Sequence, residues 1–146
     1  MSDVEIRLEG TKELLANLKR IDSDIRGEVA RKAVHAGAEN IKGQAVINAP
    51  VLTGALRNSA IVTSSNEGGN AEALIKFRRE YARIQEFGGT ITAKNKPYLV
   101  FKVGGKWVRK KSVKINGKHY LENAINSQKG AAVKAMGDVI NQYLER

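Results

Sequence analysis

The sequence predicts an α+β fold: an antiparallel sheet with a long helix and a C-terminal helix packed on one face. Three observations carry this. Short runs such as "VEIRL" alternate apolar and polar residues, the period of a half-buried strand. A stripe of small apolar residues recurs at four-residue steps between Ile25 and Ala45. The order along the chain is strand, two helices, several strands, helix. A length of 146 residues fits one domain, residues 1–146, with no internal repeat or linker. Aromatics are only 5%, so the core must rest on aliphatic side chains and alanine.

Val4, Ile6 and Leu8 lie on one face of the first strand, which Gly10 ends. A helix from Thr11 to about Ile21 carries Leu14, Leu15 and Leu18 on one side. Asp22 to Asp24 supply capping residues for the long helix, about Ile25 to Asn48. Its stripe is Ile25, Val29, Ala33, Ile41 and Ala45, flanked by Ala30, Val34 and Ala38. Gly27, Gly37 and Gly43 each weaken it by about 1 kcal/mol against alanine, and some are expected to mark close packing.

Pro50 stops this helix, because the residue before a proline resists helical geometry. Thr53 is expected to cap one turn, "GALRN", with Gly54 letting it sit tightly against its neighbours. Two strands, "SAIVTSS" and "AEALIKFRR", then flank the turn "NEGGN". "YARIQEFGG" reads as a short helix with Ile84 and Phe87 on one side, closed by glycine. "TITA", "PYLVFKV" and "KWVRKKSVKI" read as further strands, with Gly104 and Gly105 as a tight turn. The last helix is expected from about His119 to Leu144, with a break near Gly130 and with Val133, Met136, Ile140 and Leu144 on one face.

The chemistry is limited. There is no cysteine, which removes disulfides, thiolate catalysis and cysteine-ligated metals. His35 and His119 are far apart and make no paired metal-ligand motif, so no metal or cofactor is expected. No serine lies in a Gly-x-Ser-x-Gly elbow, and "EFGGT" lacks the spacing and lysine of a phosphate loop. Glu80 and Glu86 could flank a cleft, but at six-residue spacing they read as ordinary surface or interface acids. No enzyme activity is expected. The N-terminus has no signal-peptide pattern and no stretch is long enough to span a membrane, so a soluble, non-exported protein is expected.

Charge is the outstanding feature. The chain carries 25 Lys+Arg against 15 Asp+Glu, a net charge of +10. From Phe87 to Leu121 there is no acidic residue, while Lys94, Lys96, Lys102, Lys106, Arg109, Lys110, Lys111, Lys114 and Lys118 all fall there. Either these cations solvate a hairpin and guard its edge, or they meet nucleic acid through phosphate contacts and stacking. Trp107 and Tyr98 read as core or interface anchors before stacking platforms.

Three motifs then line up in order. They are Ala49, Pro50, Thr53, Gly54, Leu56, Arg57 and Ser59 in "APVLTGALRNS", then Tyr81, Ala82, Glu86, Phe87 and Gly88 in "YARIQEFGG", then Pro97, Tyr98 and Leu99 in "KPYLVF". Together they resemble the gene-product-ten family of lambda-like tailed phages, over roughly residues 5–145. The resemblance implies a minor virion protein, described as a head–tail joining, neck or tail-completion protein, assembled in a bacterial cytoplasm and located at the head–tail junction. It implies as partners further copies of itself in a ring, neighbouring connector and tail proteins, and DNA passing the junction, with no membrane. The basic hairpin, about residues 100–118, stands as an insertion relative to the family pattern. Lys106, Arg109, Lys110, Lys111, Lys114 and Lys118 are its candidate contacts to DNA or an acidic partner. A nucleic-acid-binding module using residues 94–118 is the alternative reading. The first motif builds a corner: Leu56 is expected in the core, and Arg57 is expected to meet carbonyls or a carboxylate, with Glu86 as the candidate.

Overall fold

A computed structural model describes residues 4–8, 12–51, 54–67, 70–79 and 81–144, with backbone alone for 4–8 and 101–103. The strand β1 (Val4–Leu8) is followed by helices α1 (Lys12–Leu18) and α2 (Ser23–Asn48) and a single turn, α3 (Ala55–Asn58). Strands β2 (Ala60–Glu67) and β3 (Asn70–Phe77) lead to the short helix α4 (Ala82–Phe87). Four short strands follow: β4 (Gly89–Thr92), β5 (Leu99–Val103), β6 (Lys106–Lys110) and β7 (Ser112–Ile115). Helix α5 (Tyr120–Leu144) ends the described chain.

The fold is mixed helix and strand, as expected, but the strands do not form one sheet. β1, β3 and β2 make a three-stranded antiparallel sheet with β3 in the middle. β4 pairs with β7, and β5 pairs with β6, as two separate antiparallel ribbons. The run expected as one strand, "KWVRKKSVKI", changes partner at Lys111, whose carbonyl accepts from Ala93 N–H at 3.0 Å. The physical reason for the division is burial. In β3 the alternate residues Ala73, Ile75 and Phe77 are buried, whereas every residue of β4 is exposed and gives that strand no apolar face to lay on the core.

Helix α2 is the hub. It packs on β2 and β3 and, most extensively, on α5. Two neighbours require apolar residues on a wide arc, and its buried set is Val29, Ala33, Val34, Gly37, Ala38, Ile41 and Ala45. Mostly small side chains let both layers approach closely. Ile25, expected in the stripe, is 46% exposed and is not part of the buried set. Gly27 faces the Asn66 side chain, while Gly43 has open space around its Cα and marks no close packing.

Helix α5 runs antiparallel to α2. Asn48 Nδ2 donates to Tyr120 O at one end, and Lys32 Nζ contacts Tyr143 Oη at 3.1 Å at the other. Helix α5 is continuous through Gly130, which is exposed and packs on nothing within 4 Å. Its buried face is Tyr120, Leu121, Ala124, Ala132, Met136 and Ile140, and Val133 points to solvent instead. The corner between α1 and α2 is closed by Arg26, whose Nη2 donates to Lys19 O and Ile21 O at 3.0 and 2.8 Å. Asp22 caps α2, as expected, accepting from Asp24 N–H at 3.3 Å.

Phe77 is fully buried and meets the Tyr120 ring edge-on, with centroids 5.0 Å apart. This contact joins the sheet to the start of α5. Phe77→Ala should lower stability by about 3–5 kcal/mol, read as the shift of the urea midpoint.

Candidate functional site

The first motif is built around the C-terminal end of α2. Ala49 turns extended (φ −65°, ψ 143°) ahead of Pro50, which ends the helix. The last carbonyls of a helix have no partner inside it. Arg57 supplies one: Nη2 donates to Ile47 O at 2.9 Å and Nε to Ala49 O at 3.2 Å. A guanidinium there also opposes the partial negative charge of the helix end. Of the two partners expected for Arg57, carbonyls or a carboxylate, the carbonyls are the ones it meets, and Glu86 is not its partner. Leu56 is buried, as expected, and Ser59 Oγ donates to Leu56 O at 2.7 Å. Thr53 lies outside the described residues, and Gly54 is the N-cap of α3. Gly54 is required by its left-handed φ of 79° rather than by crowding, since its nearest contact is Asn58 Nδ2 at 3.8 Å.

The second motif is built around the N-terminal end of α5. Glu86 is 2% exposed, so it is not the surface acid expected. Its Oε2 accepts from Leu121 N–H at 2.9 Å and its Oε1 from Glu122 N–H at 3.1 Å. A carboxylate from 35 residues upstream thus caps α5. It satisfies two of the orphan amides and opposes the positive end of the helix dipole. The backbone adds two bonds, Lys118 N–H to Gln85 O at 2.7 Å and His119 N–H to Glu86 O at 3.1 Å. Tyr120 Oη donates to the carbonyl of buried Ala82 at 2.9 Å. Burial, and secondarily the charge of Glu86, pushes the Tyr120 phenol well above its ordinary range.

Glycine is needed where these strands of chain touch. A Cβ on Gly117 would come within 2.7 Å of Phe87 C, and one on Gly88 within 2.7 Å of Gly117 N. Phe87 itself is 58% exposed, with the Arg83 guanidinium over its ring. Tyr81 is partly buried against the core. Glu80, the proposed second carboxylate, lies outside the described residues.

His119 and Glu122 form an exposed i, i+3 pair at 3.0 Å, a His-x-x-Glu spacing that meets Glu86. Both Glu86 oxygens already accept amides, so the trio is accounted for as a helix cap with an exposed imidazole–carboxylate contact beside it. His35 stands on a helix face, as expected, and its Nδ1 lies 3.1 Å from Ser64 Oγ, tying α2 to β2.

The first two motifs therefore meet at one end of the α2–α5 pair, and the third does not join them. Pro97, Tyr98 and Leu99 lie in an arm, residues 89–116, formed by the two ribbons. Lys106, Arg109, Lys110, Lys111, Lys114 and Lys118 are all exposed. Tyr98 is 40% exposed beneath the Arg109 guanidinium, and Trp107 is 69% exposed, so neither is a core residue of this chain.

A family profile described as "Bacteriophage HK97-gp10, putative tail-component" matches residues 12–88, just over half of the chain. The chain belongs to this family. No curated protein and no solved structure gives a match. The HK97-gp10-like match contains the first two motifs and ends at Gly88, where the arm begins. The protein is thus a phage structural protein, found in the virion among other virion proteins. Among the described residues, no helix is long and apolar enough to cross a membrane.

Sequence reasoning missed the cap that Glu86 provides. One signal was present: α5 starts after "NGKH", with no Ser, Thr, Asp or Asn directly before Tyr120. Such a start needs an acceptor from elsewhere.

Glu86→Ala should cost about 2 kcal/mol, and Glu86→Gln, which keeps one acceptor, about half of that. Faster hydrogen exchange at the Leu121 and Glu122 amides, with little change at Met136, checks the mechanism. A phenol held protonated by the fold gives stability that is intact below the unfolded tyrosine pKa of about 10 and falls as pH rises beyond it. Tyr120→Phe should flatten that alkaline decline, measured by denaturation at pH 8, 10 and 11.

Proposed function

We propose that this protein is a subunit of the head–tail junction, a neck or tail-completion protein that assembles as a ring and joins the tail to a DNA-filled head. Its work is geometric and not enzymatic. The observation that carries the reading is the division of labour within the chain. A rigid α2–α5 pair, pinned at one end by Arg57 and Glu86, carries an arm of exposed cations beyond the family-matched region. Nine of the 25 basic residues and none of the 15 acidic ones lie between Phe87 and Leu121. The rest of the chain is almost balanced, sixteen basic against fifteen acidic. Such a subunit is suited to be held in a stack of neighbours while its arm engages a surface of opposite sign.

A nucleic-acid-binding module is the second reading, favoured by the same carboxylate-free arm. DNA affinity that collapses between about 50 and 200 mM salt, from a chain that stays monomeric, would support it over the junction role.

Native mass over a concentration series, with negative-stain images of the same sample, should show a closed ring. In infected cells, replacing Lys110, Lys111 and Lys114 by glutamate should leave DNA-filled heads and free tails unjoined. Normal yields of infectious particles from that variant would overturn the role given to the arm.

A further inference from the structure

Several cations of the body are matched within the chain. Arg31 pairs with Glu28, Lys42 with Glu39 and Lys134 with Asp138, while Arg26 and Arg57 hold helix-end carbonyls. The arm is different. Six of its lysines and Arg109 are exposed, and among the described residues none of these meets a carboxylate. Its aromatic side chains are engaged internally: Tyr98 lies beneath Arg109, and Trp107 also has a partner within the chain. What the arm leaves unmatched is positive charge.

The β4–β7 ribbon presents that charge in an ordered way. Thr90 pairs with Lys114 and Thr92 with Ser112, and directly opposed residues share a face. One face therefore carries three hydroxyls and a lysine, all exposed, with no aromatic ring and no carboxylate. The opposite face carries the apolar pair Ile91 and Val113. Lys111, whose carbonyl accepts from Ala93 N–H, stands next to the Thr92–Ser112 pair. Threonine suits a strand by propensity, and lysine guards a strand edge. Neither accounts for the exclusion of every carboxylate between Phe87 and Leu121.

We propose that this face, Thr90, Thr92, Ser112 and Lys114 with Lys111 at its end, binds the sugar–phosphate backbone of duplex DNA without regard to sequence. The inference rests on the role given to the arm above, engaging a surface of opposite sign, and it names that surface. Hydroxyls and lysines are donors to phosphate oxygens. A two-stranded ribbon is narrow enough to lie in a DNA groove. Lysine offers a point charge and not the planar fork that reads guanine, so the contact positions the duplex and does not select bases. An acidic protein is the other polyanion. Lysine and serine are depleted in protein–protein interfaces, and this face offers a protein no aromatic or arginine anchor. A single strand would need rings to stack on, which the face lacks.

The test is fluorescence anisotropy of the full chain with two short labelled duplexes of unrelated sequence, between about 50 and 200 mM salt. Both duplexes should bind equally, and log affinity should fall linearly with log salt. Lys114→Ala should make that slope shallower by about 0.9, the loss of one phosphate contact. Thr92→Val removes a neutral donor and should weaken binding about twofold to tenfold at unchanged slope. Lys134→Ala takes the same charge from the body and should change neither quantity. Circular dichroism confirms that each variant folds. An effect of Lys134→Ala equal to that of Lys114→Ala would mean attraction by net charge alone and overturns the proposal. Tighter binding of single-stranded DNA, or of one duplex over the other, also overturns it. Binding of poly-glutamate but not of duplex would leave the arm a partner of opposite sign and remove DNA. Binding of neither would remove both the contact and the role given to the arm.

Discussion

The carboxylate of Glu86, buried against the first turn of α5, is the interaction on which the remaining geometry depends. It determines where α5 begins, because it takes two amides that the local sequence leaves without an acceptor. Once that point is set, Tyr120 falls against Phe77 and beneath Ala82 O, and Asn48 reaches Tyr120 O. The helix is then aligned antiparallel to α2 over its full length. The arm is located by the same contact, since its two ends, Gly88 and Gly117, are pressed together beside Glu86. A buried carboxylate is costly to desolvate, and it is tolerated here because both oxygens accept amide hydrogens at the positive end of a helix.

Arg57 and Glu86 belong to different motifs, and their chemistry is one principle applied twice. A cation takes the carbonyl end of α2, and an anion takes the amide end of α5. Arg26 closes the last carbonyls after α1 in the same way. Pairing Arg57 directly with Glu86 would have satisfied two charges and left two helix ends bare. Capping each end separately satisfies several backbone groups with the same two side chains. It also explains why motif residues so far apart in sequence gather at one end of the helix pair.

How much of this could be read from the sequence depends on whether the cause was local. The strand in "AEALIKFRR" and the stop at Pro50 are dictated by neighbours in sequence and are legible there, although which face of the strand, Ala73, Ile75 and Phe77, meets the core is seen only in the structure. The stripe of α2 is legible too, but not that it serves two layers, nor that Ile25 is left about half exposed. The break expected at Gly130 did not occur, because one exposed glycine costs less than the packing of a 25-residue helix restores. The role of Glu86 depends on Leu121 and Glu122, and no spacing rule reaches across 35 residues. The separation of the ribbons from the sheet was hidden for a related reason. Alternation says that a strand has two faces, but not whether either finds a core.

Two isolated two-stranded ribbons are marginal structures in water. The arm therefore owes its position to its root at Gly88 and Gly117 more than to its own pairing. Cations act over about a Debye length, roughly 10 Å at 0.1 M salt, and so govern approach and choice of partner. On a body with balanced charge, collecting the cations in one segment gives the subunit a direction.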